Sequence, residues 1–200
     1  DVASRRVTEY ACKLFARQPD CSSKAIELVF QGVDEALIRE QQRDRALAKM
    51  RATGVILIID SMNCKAIWGH IGDSRLYCFR SGNTVFRTRD HSIVQNMIDT
   101  GYLSSSEIRS SPVRNQLYAA LGNNNLEELD LLQEPISVQC SDAFLICSDG
   151  LWQYVEDHEM VSMIESVSSA AEWLKNLEKL VLSRGDITQD NYSAIAVWCR

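Results

Sequence analysis

Three short segments set carboxylates beside turn-forming residues: Gly72-Asp73-Ser74-Arg75, Ser148-Asp149-Gly150 and Asp190-Asn191. The last two stand at the mouths of apolar runs. Phe144-Leu145-Ile146-Cys147 reads as a buried strand running into Ser148-Asp149-Gly150, and Asp190-Asn191 precedes a second strand-like run from Tyr192 to Trp198. If those ends converge, rigid elements hold oxygen donors side by side, a set that suits Mg²⁺ or Mn²⁺ better than zinc. Two carboxylates forced together repel, and a cation removes that penalty. A cluster of this kind can hold two ions roughly 3.5–4 Å apart, supplying an activated water and neutralising phosphoryl charge. Taken singly, each segment is equally an ordinary Asp-Gly or Asp-Asn turn.

Other polar residues have competing roles. Asp90, in Arg89-Asp90-His91-Ser92, is a third candidate ligand or a helix cap. Asp73 and Arg75 form a pair able to fix strand ends, a structural role. His70 is expected to point into a sheet or pair locally. His91 is a weaker candidate for proton transfer, and His158 is expected on a polar helix. The three histidines lack zinc-site spacing, and no Gly-x-Ser-x-Gly elbow indicates a serine hydrolase. Trp68, Trp152, Trp173 and Trp198 are expected in core or layer contacts.

These residues sit on 200 residues with 46% hydrophobic and 24% charged content, the profile of one soluble domain over 1–200. The formal charge of -6 and the absence of a basic tract argue against nucleic acid or anionic membrane as partner. The longest apolar stretch, Gly54 to Ile59, is strand-sized, so membrane insertion is not expected. Seven scattered cysteines without a CxxC pair suggest a reducing cytoplasm.

Periodicity predicts a helix from Val2 to about Arg17 and another from Ser22 or Ser23 to Met50. Strand runs follow over Gly54–Ile59, Cys64–Ile71, Leu76–Phe79 and Thr84–Thr88, spaced as an antiparallel meander. A helix over His91–Gly101, a capped turn at Ser104, an irregular segment from Arg109 to Asn125, and strands over Ile136–Cys140 and Ala143–Cys147 come next. The region from Glu156 to Leu182 is helical with a break near Ser168-Ser169, and a loop then leads to the last strand. Helices outside a predominantly antiparallel double sheet account for this order.

The ordered set Gly72-Asp73-Ser74-Arg75, Arg89-Asp90-His91-Ser92, Ala120-Leu121-Gly122, Cys147-Ser148-Asp149-Gly150-Leu151-Trp152 and Asp190-Asn191-Tyr192-Ser193 resembles the metal-dependent, PP2C-like protein Ser/Thr phosphatases, in particular their bacterial branch. The resemblance implies an α+β fold, a four-layer αββα sandwich of two mainly antiparallel sheets. It implies hydrolysis of phosphoserine and phosphothreonine in proteins by metal-activated water, with Mg²⁺ or Mn²⁺ as two central ions and a third, more weakly held. Asp149 and Asp190 would then be the catalytic metal ligands and Asp90 the ligand of the third ion. Gly150, Asn191, Asp73 and Arg75 would support them, and Met97, Arg109 and Arg114 would belong to a substrate flap over Met97–Leu117. The implied partner is a phosphorylated protein, in opposition to a Ser/Thr kinase.

The sequence also departs from that family. Its members begin with strands carrying a phosphate-binding arginine and an Asp-Gly-x-Gly-Gly segment whose aspartate bridges the two metals. This chain opens at Asp1-Val2-Ala3-Ser4, and Asp60, Arg5 and Arg6 do not replace those residues. The expectation is therefore a domain lacking its N-terminal strands, with self-association as a consequence if none precede it. A catalytically inactive binding or regulatory homologue is the alternative, and a generic scaffold with acidic turns is a third, which would leave Asp149 and Asp190 far apart.

Overall fold

The computed structural model describes residues 2–124, 126–185 and 190–199. They form two compact units, 1–73 with 90–137 and 74–89 with 138–200.

In the first unit, α1 (Val2–Arg17) lies beside α2 (Ser23–Arg43). Ser22 starts α2 by accepting a hydrogen bond from the Ala25 amide at 3.2 Å. Apolar residues at helical spacing in α2 (Ile26, Val29, Phe30, Val33 and Leu37) bury one face against Ile67, Ile71 and Leu121. Val7, Tyr10, Leu14 and Phe15 of α1 pack onto the same core. The expected continuation of α2 to Met50 does not occur. Asp44 turns to extended backbone, and its carboxylate caps a following 3₁₀ turn at Ala46. The sheet of this unit pairs β1 (Gly54–Asp60) with β2 (Lys65–Ile71), and β2 with two-residue strands β5 (Asp130–Leu131) and β6 (Ile136–Ser137), all antiparallel. Helix α3 (Ile93–Asp99) and a 3₁₀ segment over Ser105–Ser110 complete it.

The second unit holds β3 (Arg75–Arg80), β4 (Asn83–Arg87), β7 (Ala143–Cys147) and β8 (Ala194–Trp198) in the order β4-β3-β7-β8, again antiparallel. Being central, β7 is apolar throughout, as the sequence predicts for a strand with both faces covered. Helices α5 (Asp157–Ser166) and α6 (Ala170–Arg184) follow a one-turn helix, α4 (Asp149–Trp152). Trp173 of α6 is fully buried, meets Phe79 edge-on at 5.5 Å and donates its indole N–H to the Met160 carbonyl at 3.2 Å.

The mixed helix–sheet class with two antiparallel sheets agrees with expectation. The continuous meander does not. The β1–β2 and β3–β4 hairpins belong to different sheets, and the chain changes sheet at Gly72-Asp73-Ser74. Gly72 has φ of +101°, and a Cβ there would overlap Thr53, so this turn requires glycine. The strand expected over Ile136–Cys140 stops at Ser137, because Gln139 and Asp142 close a tight turn through two hydrogen bonds. Part of the expected loop before the last strand, 186–189, lies outside the described residues.

Candidate active site

Adjacent strands β7 and β8 end and begin at the same end of the second sheet, where Cys147 pairs with Ala194. Beyond the ladder the two chains stay joined. The Ser148 amide donates to the Ser193 carbonyl at 3.0 Å, and the Ser193 amide donates to Ser148 Oγ at 3.0 Å. That second bond explains why β8 begins two residues later than Tyr192. A Cβ at Gly150 would overlap the Asn191 carbonyl oxygen, so glycine permits residues 190–192 to approach the start of α4. The segments carrying Asp149 and Asp190 therefore meet at one sheet end.

Asp149 is half-buried and Asp190 exposed. Asp149 Oδ1 accepts from the Gly150 amide at 2.9 Å, and its Oδ2 from Gln153 Nε2 at 3.2 Å. Asp190 Oδ1 accepts from the Asn191 amide at 2.7 Å.

Arg75 begins β3 opposite Cys147 and is 2% exposed. Its guanidinium carbon lies 3.6 Å from the Trp152 ring centroid, and Nη1 donates to the Tyr77 hydroxyl at 3.1 Å. Tyr77 in turn donates to Asp157 at 3.3 Å, and Arg87 pairs with the same carboxylate at 3.3 Å. Burial pushes the Tyr77 phenol well above its ordinary pKa.

The first unit contains its own acidic junction. The His91 amide donates to the Gly72 carbonyl at 2.9 Å, and the Gly72 amide donates to His91 Nδ1 at 3.1 Å. Asp73 and Asp90, which flank this pair in sequence, are 8% and 2% exposed. His91 stacks on His70 with centroids 4.6 Å apart, and His70 Nδ1 lies 3.8 Å from Asp130 Oδ2 on the paired strand, the local partner expected of it. With Nδ1 accepting from a backbone amide, His91 has a structural task at this junction. Asp90 is not the cap of α3; Ser92 is, accepting from the Gln95 amide at 3.2 Å. Met97 lies half-buried in α3, while Arg109 and Arg114 are half-buried in the 3₁₀ segment and the turn beyond it.

Among the described residues no three His, Cys, Asp or Glu side chains gather as a metal-binding group. The pair at the β7–β8 end fits a hard divalent cation in donor type, both members being carboxylates, and in solvent access. Water would complete the roughly six-oxygen shell that Mg²⁺ prefers. Asp149, Gly150, Asp190 and Asn191 are expected from strand runs ending in turn residues, and the structure places them in the two segments that meet here. Sequence reasoning missed the bracing by Ser148, Ser193, Tyr77 and Trp152. The only available cue was Trp152 three residues after Asp149, one helical turn away.

No protein-family profile matches the chain. It is 31% identical over 149 residues to the serine/threonine phosphatase Stp of Listeria monocytogenes, covering 74% of this chain and 57% of that relative. The chain thus spans little more than half the length of the curated relative. Its structure matches that of the Mycobacterium tuberculosis serine/threonine phosphatase PstP with a TM-score of 0.83 and 25% identity, over 100% of this chain and 82% of that one. A second solved structure, the PstP catalytic domain in complex with two manganese ions, matches with a TM-score of 0.79 and 23% identity over 98% of this chain and 79% of that one. Among the described residues no helix is long and apolar enough to cross a membrane.

Proposed function

We propose, for a chain that is a relative of the bacterial PP2C-like Ser/Thr phosphatases, that it forms a large part of a divalent-metal-dependent enzyme hydrolysing phosphoserine and phosphothreonine in proteins. The observation carrying this reading is the meeting of the Asp149 and Asp190 segments at one braced sheet end. Both carboxylates would hold the cation, either Mg²⁺ or Mn²⁺. When bound, such an ion neutralises phosphoryl charge and lowers the pKa of the attacking water. The chain's own residues supply the frame. Gly150 lets the two acidic segments touch, Asn191 orients Asp190 through its amide, and the serine pair keeps the strand ends from separating. Asp90 is assigned a third ion, and Met97, Arg109 and Arg114 are assigned to substrate access. The two units act as one domain over 1–200, on a phosphoprotein whose kinase this enzyme opposes. Seven scattered cysteines with no CxxC pair support a cytoplasmic setting.

The test is Mn²⁺-dependent phosphate release from a phosphothreonine peptide by the full-length natural product. Turnover lost in correctly folded Asp149→Asn and Asp190→Asn is the expected result, and turnover unchanged in both overturns the assignment. The alternative reading is an inactive binding or regulatory homologue. Stoichiometric Mn²⁺ binding accompanied by turnover defeats it.

A further inference from the structure

We propose that Arg75 is a positioning residue for the Asp149 carboxylate, acting through Trp152. This rests on the reading of Asp149 as a cation-holding residue. Asp149 is the first residue of α4 and Trp152 the last, so the helix is a single turn of four residues. A helix of that length is unstable on its own in water. No side-chain cap holds its start. Its orientation must therefore come from tertiary contacts, among them the Ser148–Ser193 bonds at its N-cap and contacts along the turn itself. Gly150 abuts Asn191, Leu151 is 2% exposed, and Trp152 is 1% exposed beneath the Arg75 guanidinium. Residues three apart on one helical turn move together, so a displaced Trp152 ring displaces Asp149.

The guanidinium is itself fixed. Its Nη1 reaches the Tyr77 hydroxyl, which is tied to Asp157 at the first residue of α5 and, through that carboxylate, to Arg87. A run of contacts thus extends from α5 along β3 to α4. Stability alone gives a weak reason for an arginine here. An apolar side chain of similar volume would fill the space over Trp152 without the cost of desolvating a charge. Arginine offers what neither an aliphatic residue nor lysine can: a planar cation that stacks on an indole while its edge donates to a phenol. The pair locks both position and rotation of the ring.

The experiment is Mn²⁺ titration by calorimetry on the full natural chain and on Arg75→Lys, Trp152→Leu, Trp152→Phe and Tyr77→Phe, each checked for cooperative thermal unfolding. Arg75→Lys and Trp152→Leu are expected to weaken Mn²⁺ binding by about 10–100-fold, the usual effect of losing a group that orients a metal ligand. Trp152→Phe keeps an aromatic face and is expected to stay close to wild type, a rescue that mere filling of space by leucine does not give. Melting temperatures that fall in Arg75→Lys and Trp152→Leu with unchanged Mn²⁺ affinity would overturn the proposal, because the contact would then serve only the fold. Where Arg75→Lys fails to fold, Tyr77→Phe decides, since it deletes one hydroxyl: weakened binding supports the contact run, and unchanged binding overturns it. Asp149→Asn separates the two claims. If it binds Mn²⁺ as tightly as wild type, the assignment of Asp149 fails and the positioning role with it. If Asp149→Asn weakens binding and the Arg75 and Trp152 variants do not, only the positioning role fails.

Discussion

Both units tie an acidic segment together with a reciprocal pair of hydrogen bonds, yet they treat the acids differently. In the first unit Gly72 and His91 exchange bonds, and the neighbouring Asp73 and Asp90 are buried. In the second, Ser148 and Ser193 exchange bonds, and the nearby Asp149 and Asp190 are half-buried and exposed. A buried carboxylate must be compensated by fixed partners within the fold. An accessible one can exchange those partners for water and a solvated cation. That difference supports the proposed cation-holding role of the second pair.

Removing charge is the strongest way to break this contrast. Asp149→Asn or Asp190→Asn is expected to lower Mn²⁺-dependent turnover by about 10²–10³-fold, the scale for losing a preorganised electrostatic group. Steady-state kinetics on folded variants reads this directly. Next comes Gly150→Ala, which forces the start of α4 away from Asn191. Overpacking of this kind costs about 1–3 kcal/mol, measurable as a lower urea midpoint, and Mn²⁺ affinity should fall with it. In the first unit, His91→Ala leaves the Gly72 amide without its acceptor. The expected loss is about 1–3 kcal/mol, again read from the urea midpoint.

The smallest effect concerns the surface of the second unit. Arg184 grips Glu159 through two bonds of 2.7 Å, holding its carboxyl down to about 2 from an ordinary 4.5. A depressed folded pKa gives stability that is fully present above about pH 4.5 and lost as pH falls towards about 2. Glu159→Gln should therefore melt below wild type at pH 7 by a modest amount, since Arg184 is 40% exposed and solvent screens the pair. The two melting temperatures should converge near pH 2.

What the sequence revealed was local chemistry. The apolar run before Ser148 and the one after Asn191 marked strands, and the turn residues at their ends marked where those strands stop and start. Ser22 and the break at Ser168-Ser169 likewise announced helix boundaries. Long-range choices were hidden. Spacing showed that β2 and β3 run close in sequence, but nothing in either strand says that Gly72 sends them to different sheets. Strands β5 and β6 have two residues each and exist only through pairing with β2. The contact between Arg75 and Trp152 joins residues far apart in the chain, neither carrying a local cue to the other. Even α4 is too short for a periodic pattern.

Paramagnetic broadening of backbone amide signals by Mn²⁺, with Mg²⁺ as the diamagnetic control, locates where a divalent ion settles. The second sheet offers an internal ruler, with Arg75, Cys147 and Ala194 at one end and Phe79, Ala143 and Trp198 at the other. Broadening should be greatest at Asp149, Gly150, Asn191 and Ser193 and weak at Ser81 and Gly82, in the turn beyond the opposite end. Broadening centred on Ser81 and Gly82, with Gly150 and Asn191 unaffected, would contradict the assignment of Asp149 and Asp190.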